Sequence, residues 1–139
     1  MSPWPDAGQV TRARASNPYV HGQHRGEVDF MGNADDLIGR TLEMAALVDY
    51  QDGSVVSRTI IERDTGTVTL FAFGAGQGLS EHTTPYDALV HVVDGVARVT
   101  IASEEHSVEA GQMLIMPADV PHALQADEPF KMLLVMIRQ

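Results

Sequence analysis

The sequence predicts an all-β protein, a sandwich or barrel of short strands. Three observations carry that reading. From Val55 onward, runs rich in β-branched and aromatic residues recur at roughly even spacing. Turn chemistry separates the runs, with Asp64-Thr65-Gly66, Asp94-Gly95, Ala110-Gly111, Pro117 to Pro121 and Asp127 to Pro129 between them. No long helical period interrupts them.

The elements follow in order. Val55–Glu62 (VVSRTIIE) and Thr67–Phe73 (TVTLFAF) form the first pair of strands around the Asp64-Thr65-Gly66 turn. Ala88–Val93 (ALVHVV) and Val96–Ile101 (VARVTI) flank Asp94-Gly95, a two-residue hairpin signal. Met113–Met116, His122–Ala126 and Phe130–Ile137 supply the remaining strands. Period-two alternation then sorts the Asp94-Gly95 hairpin into two faces. Ala88, Val90, Val92, Ala97, Val99 and Ile101 share an apolar face, and Leu89, His91, Arg98 and Thr100 share the other.

The chain before Val55 reads differently. Residues 1–34, broken by Pro3, Pro5, Pro18, Gly8, Gly22 and Gly26, form an irregular arm of the kind that is often mobile, and residues 35–139 hold the β domain. From Glu27 to Asp52 seven carboxylates face only Arg40. Within that stretch Leu42–Val48 is too short for periodicity to choose between a helix turn and a strand.

Composition narrows the partners. At 139 residues the chain fits one domain with a core of its own. Nineteen acids against nine bases give a net charge of -10, which repels nucleic acid and anionic lipid, so neither is an expected partner. No apolar run approaches the ~18–20 residues of a membrane span. The first twenty residues lack the apolar stretch of a secretory signal, so a cytoplasmic location is the expectation. Without cysteine there is no disulfide and no thiolate metal ligand.

Two segments carry histidines in a pattern with chemical meaning. Gly76–Gly95 reads GQGLSEHTTPYDALVHVVDG, and Gly111–Ala126 reads GQMLIMPADVPHALQA. Both resemble the paired signature motifs of the cupin superfamily, G(x)5HxH(x)3–4E(x)6G and G(x)5PxG(x)2H(x)3N. Gly76, His82, Gly95, Gly111, Pro117 and His122 fall in register. Thr84 and Ala88 stand where the family has its second histidine and its glutamate; Asp119 and Ala126 replace its glycine and asparagine. The wording HT-x-P-x-DA-x-V and IMPA-x-VPHAL is similar to that of small, mostly uncharacterised cupins. The resemblance covers about residues 40–139 and implies a double-stranded β-helix, the jelly-roll barrel, for that region. It places Ala88 toward the lumen, so the apolar face is the inner one and His91 points away.

The same resemblance makes His82 and His122 the candidate metal ligands, for one divalent metal such as Zn, Ni, Mn, Fe or Cu. Imidazole suits zinc, nickel, copper and iron, but two imidazoles are half a site, since catalytic metals usually hold three protein ligands. Asp87, one residue before the lost glutamate, is the candidate third donor; Glu81 and Gln77 are weaker ones. His82, Thr84, Asp87 and His122 together form the candidate ligand-binding set. His21, His24 and His106 read as surface residues, His106 beside Glu104 and Glu105 at a hairpin tip; Met113, Met116, Met132 and Met136 read as core packing sooner than a copper site, and as an adaptable wall for a small-ligand pocket. GAGQG precedes a histidine-bearing strand and is no phosphate loop.

The expected function is the binding of a small molecule in the lumen, with a weakly held divalent metal. The alternative is a metal-dependent cupin enzyme of isomerase, lyase or dioxygenase type acting on a small metabolite. A homodimer is expected as well, because Phe130–Ile137 is apolar on both faces and a barrel core needs only one of them.

Overall fold

The β-branched runs form strands where the sequence puts them, and three further strands form beside them, at Val10–Arg12, Gly78–His82 and Glu104–Glu109. In the computed structural model, residues 10–12 and 34–138 are described. The strands are β1 (Val10–Arg12), β2 (Val55–Arg63), β3 (Gly66–Phe73), β4 (Gly78–His82), β5 (Asp87–Asp94), β6 (Val96–Ile101), β7 (Glu104–Glu109), β8 (Met113–Met116), β9 (His122–Gln125) and β10 (Phe130–Ile137). They build a larger sheet in the order β1-β2-β3-β10-β5-β8 and a smaller one in the order β4-β9-β6-β7. Apart from the parallel β1–β2 pair, every pairing is antiparallel. Among the described residues no helix is long and apolar enough to cross a membrane.

Cross-strand register stacks the inner side chains of the larger sheet in layers. At one end lie Val55, Phe73 and Phe130, with the last two rings stacked at 4.5 Å between centroids. Above them come Phe71, Met132 and Val92, then Leu134 and Val90. The layer at the opposite end is Met136, Ala88 and Met116. From the smaller sheet Leu79, Leu124, Val99, Ala97 and Val108 close the core, all of them buried. The two inner faces interdigitate as in any pair of packed sheets.

Two expectations are corrected. Asp94-Gly95 is not a hairpin: β5 pairs with β10 and β8, whereas β6 pairs with β7 and β9. The dipeptide carries the chain from one sheet to the other, with Gly95 at φ 77 and packed so closely that an added Cβ would strike the carbonyl oxygen of Pro129. The two faces nevertheless come out as read, because alternation belongs to each strand and does not depend on its partner. Ala88, Val90, Val92, Ala97 and Val99 are buried and Ile101 packs against them. The second correction concerns His106, which lies on β7 and not at a hairpin tip; the tip is Ala102-Ser103, both with positive φ.

Leu42–Val48 resolves into a single 3-10 turn at Met44–Ala46, followed by buried Leu47 and Val48. With Leu37 and Leu42 these cover the outer face of the larger sheet around Val56, Leu70, Ala72 and Leu133. Arg58, buried on that face, donates to the Leu47 carbonyl at 3.2 Å, and Lys131 donates to the Ala45 carbonyl at 2.6 Å. Tyr50 fixes the end of the segment by donating to Asp94. Its phenol pKa is raised well above the ordinary range, by burial first and by the Asp94 carboxylate second.

Candidate ligand site at the barrel mouth

The chain crosses between the sheets twice at the same end of the barrel. One crossing runs from His82, the last residue of β4, to Asp87, the first of β5; the other runs from Met116 at the end of β8 to His122 at the start of β9. Backbone and side-chain bonds tie the two crossings together. Asp119 N donates to the Thr84 carbonyl at 2.7 Å, and Ala118 N donates to Asp87 Oδ1 at 2.9 Å. The two crossings therefore meet at one end of the barrel.

His82 and His122 are direct cross-strand partners on β4 and β9, and their rings meet edge to face with centroids 4.5 Å apart. A register shift between Leu79 and His82 makes that meeting possible. Strict alternation from inward Leu79 would turn His82 outward; the bulge puts both Ser80 and Glu81 in solvent and brings His82 back to the inner face.

Each ring is oriented by its own strand. His82 Nδ1–H donates to the Ser80 carbonyl at 2.8 Å, and His122 Nδ1–H donates to the Val120 carbonyl at 3.0 Å. A carbonyl can only accept, so both neutral rings carry their proton on Nδ1 and present a lone pair at Nε2. Both Nε2 atoms are buried. Burial also lowers the His122 pKa; the Val120 bond works against that shift, and proximity to His82 adds to it. The pair thus turns two acceptor nitrogens inward, from buried His122 and half-buried His82. It can receive a cation or a hydrogen-bond donor and has nothing to offer an anion.

The other candidates are placed differently. Thr84 is buried, and its hydroxyl donates to the Tyr86 carbonyl at 3.2 Å. Asp87 is exposed on the outer face, in register with Ile137, and holds the Ala118 amide; the structure does not bring it to the histidine pair. Glu81 is exposed. Among the described residues no three His, Cys, Asp or Glu side chains gather as a metal site. The donor set is therefore that of two imidazoles, one short of an ordinary divalent catalytic centre. Two surface clefts, of about 410 Å³ beside Arg98, Glu105 and Asp127 and about 460 Å³ beside His106, Gln112 and Met113, lie along β7 and are lined by neither histidine. Arg98 in the first is already bound by Asp127 at 2.6 Å and Glu105 at 3.0 Å.

Of the four methionines read from the sequence as core packing and as an adaptable wall for a small-ligand pocket, Met116, Met132 and Met136 are buried, whereas Met113 is exposed on the outer side of its strand end. Two of them, Met116 and Met136, line the end of the core nearest the crossings. They flank Ala88 on the two neighbouring strands of the mouth layer. The signal available was the β-period: each sits on the inner face of its strand near the strand end that leads to a histidine or to the mouth.

The family profile of the cupin domain matches residues 69–136, a span that contains both crossings and both histidines. The chain belongs to the cupin superfamily. A conserved Streptococcus pyogenes protein of unknown function is 37% identical over 73% of this cupin and 89% of its own chain, with a TM-score of 0.70. A cupin superfamily protein of Desulfitobacterium hafniense is 27% identical over 73% of this chain and 93% of its own, also at 0.70. The salicylate 1,2-dioxygenase of Pseudaminobacter salicylatoxidans shares the fold alone, at 19% identity over 60% of this chain and 26% of its own and a TM-score of 0.56. Comparison with proteins of curated function finds no match.

Proposed function

We propose that this cupin binds a small molecule at the mouth of its barrel, with His82 and His122 as the polar anchor. The observation that supports this is the imidazole pair, buried His122 against half-buried His82, each ring oriented by a bond to a carbonyl so that Nε2 turns inward. Apolar walls with a few convergent polar groups are the usual composition of a small-molecule site. The depleted donor set makes a divalent metal at the same pair a weak guest, since it finds neither the carboxylate nor the third histidine of the family pattern. Where a metal is held, it would supply Lewis acidity or redox chemistry, and the chain's own part is to orient both imidazoles.

The competing reading is a metal-dependent enzyme, and one observation favours it: a ring whose Nδ1–H is held by a carbonyl is the form in which histidine ligates through Nε2. Native mass spectrometry and metal analysis of untagged protein separate the two. A copurified organic molecule lost in His122→Ala, without stoichiometric metal, is the expected result. Stoichiometric divalent metal abolished by His82→Ala would move the assignment to the enzyme.

A further inference from the structure

We propose that Asp52 is a site of spontaneous covalent modification, where the folded chain rearranges to isoaspartate, and that the fold withholds the same reaction from Asp94. This chemistry involves neither histidine of the mouth.

The rearrangement needs only water. The backbone nitrogen of Gly53 attacks the side-chain carboxyl carbon of Asp52 and forms the new C–N bond of a succinimide. The carboxyl's hydroxyl and the amide proton leave as water. A water molecule then opens the ring at either carbonyl. Opening at the backbone carbonyl frees an α-carboxylate and routes the main chain through the former side chain, which lengthens it by one carbon. A following glycine favours the attack, because it has no side chain to crowd the nitrogen and its backbone turns freely.

The chain holds two aspartyl-glycine pairs, Asp52-Gly53 and Asp94-Gly95, and the structure treats them oppositely. Residues 51–54 make a type II turn, with Ser54 N donating to the Gln51 carbonyl at 3.1 Å and Gly53 at φ 71. Gln51, Asp52 and Gly53 are all exposed. Among the described residues neither the Asp52 carboxylate nor the Gly53 nitrogen takes part in a hydrogen bond. No atom lies within 4 Å of the place where a Gly53 side chain would stand. The central peptide plane of this turn is therefore free to rotate toward the carboxyl.

At the second pair both reacting groups are held. The Asp94 carboxylate accepts the Tyr50 hydroxyl, and Asp94 pairs with Lys131 in the ladder of the larger sheet. The Gly95 carbonyl accepts Ala110 N at 3.0 Å, and Pro129 and Phe130 press on the place of its missing side chain. Closing the ring there requires the corner between the sheets to open first, which well-packed elements do seldom.

The location of Asp52 gives the modification a structural effect. On one side of the turn Tyr50 is latched to Asp94, with Lys131 Nζ 4.8 Å over its ring. On the other side Val55 enters the buried layer with Phe73 and Phe130. Beneath the turn Gly74 N donates to the Ser54 carbonyl at 2.9 Å, and even a Cβ on Gly74 would stand 3.0 Å from the Gln51 carbonyl oxygen. An added main-chain carbon finds no slack between these fixed points. Isoaspartate at 52 therefore loosens the Leu42–Val48 cover from the larger sheet.

The test ages untagged full-length protein at neutral pH and physiological temperature, once folded and once in denaturant. Isoaspartate is read peptide by peptide, by mass spectrometry and by methylation with an isoaspartyl carboxyl methyltransferase. In the folded protein it should form at 52 roughly tenfold or more faster than at 94, and in denaturant the two positions should react alike. The aged parent should melt below fresh protein in proportion to its isoaspartate. Asp52→Glu, which would have to close a larger ring, should melt as when fresh after the same treatment. Equal rates at 52 and 94 in the folded protein would overturn the protection of Asp94. No isoaspartate at 52 in the folded protein would overturn the site itself. Aged parent that carries isoaspartate at 52 and melts like fresh protein would overturn the loosening of the cover.

Discussion

At the scale of the residue, His122 couples folding stability to pH. Its folded-state pKa is lowered from 6.5, chiefly by burial, so the unfolded chain takes up the proton first. The sign follows from linkage: the contribution is whole above about pH 6.5 and declines as pH falls below it, by up to ~1.4 kcal/mol per pH unit, until the folded imidazole itself titrates. Melting curves between pH 7.5 and 5 should therefore slope downward in the parent, and the slope should flatten in His122→Leu. An unchanged slope would assign the acid sensitivity elsewhere. The inner and outer residues of β5 offer a second contrast. Val90 is fully buried and His91 half-buried on the other face. Val90→Asp should cost several kcal/mol, because a carboxyl in an apolar lumen has no partner. His91→Ala should stay within ~0.5 kcal/mol. Equal losses in denaturant midpoint would mean that the faces are reversed.

Elements show which local signals speak for the fold and which do not. Gly95 and Gly76 both sit at positive φ, 77 and 80, yet only Gly95 has backbone pressed against the missing side chain. Gly76→Ala should cost ~1–2 kcal/mol for the left-handed backbone alone. Gly95→Ala should cost clearly more, since Pro129 and Phe130 must retreat; similar unfolding midpoints for the two would argue that the corner is loose. The same glycine explains a limit of sequence reasoning. Asp94-Gly95 has the residues of a tight hairpin, but they also suit a chain turning out of one sheet into another, and only long-range pairing separates the cases. The converse holds at Ala102-Ser103, a true two-residue hairpin between β6 and β7 made of residues that do not favour positive φ. Hence Glu104–Glu109, polar and without a turn signal before it, was hidden, while Val55–Glu62, Thr67–Phe73 and Phe130–Ile137 were plain from β-branched content. Of the mouth, the two histidines were legible through the spacing of their motifs. The Met-Ala-Met layer was not, because it joins residues from β10, β5 and β8 that no sequence window contains.

The whole molecule presents one feature that a lone barrel leaves unexplained. Across the outer face of the larger sheet, register aligns Ile61, Val68, Val135, Leu89 and Ile115 on five successive strands. The segment around Leu42–Val48 covers Leu133 next to this row, but Ile61 and Ile115 at its ends remain 45% and 53% exposed. The row carries no charge on a chain of net charge -10, so it is where two copies can approach without repulsion. With Val135 at its centre, the row can meet its own copy about a two-fold axis, as in an isologous contact. Light scattering at micromolar concentration should give about twice the 15.1 kDa chain mass, and Val135→Lys should return it to one. A parent mass near a single chain would sink this dimer.

The bulge at Ser80–Glu81 has a consequence for how the mouth can change over time. A strand counts its residues in twos, and the bulge inserts one extra step into that count just before His82. Whether this imidazole faces the interior or the solvent is thus decided by chain length and not by residue identity. Deleting Ser80 would keep every side chain of the anchor and still expel half of it, whereas exchanging Ser80 for another small residue would leave the anchor whole. The mouth is therefore robust to substitution in its lip and fragile to a single-codon deletion.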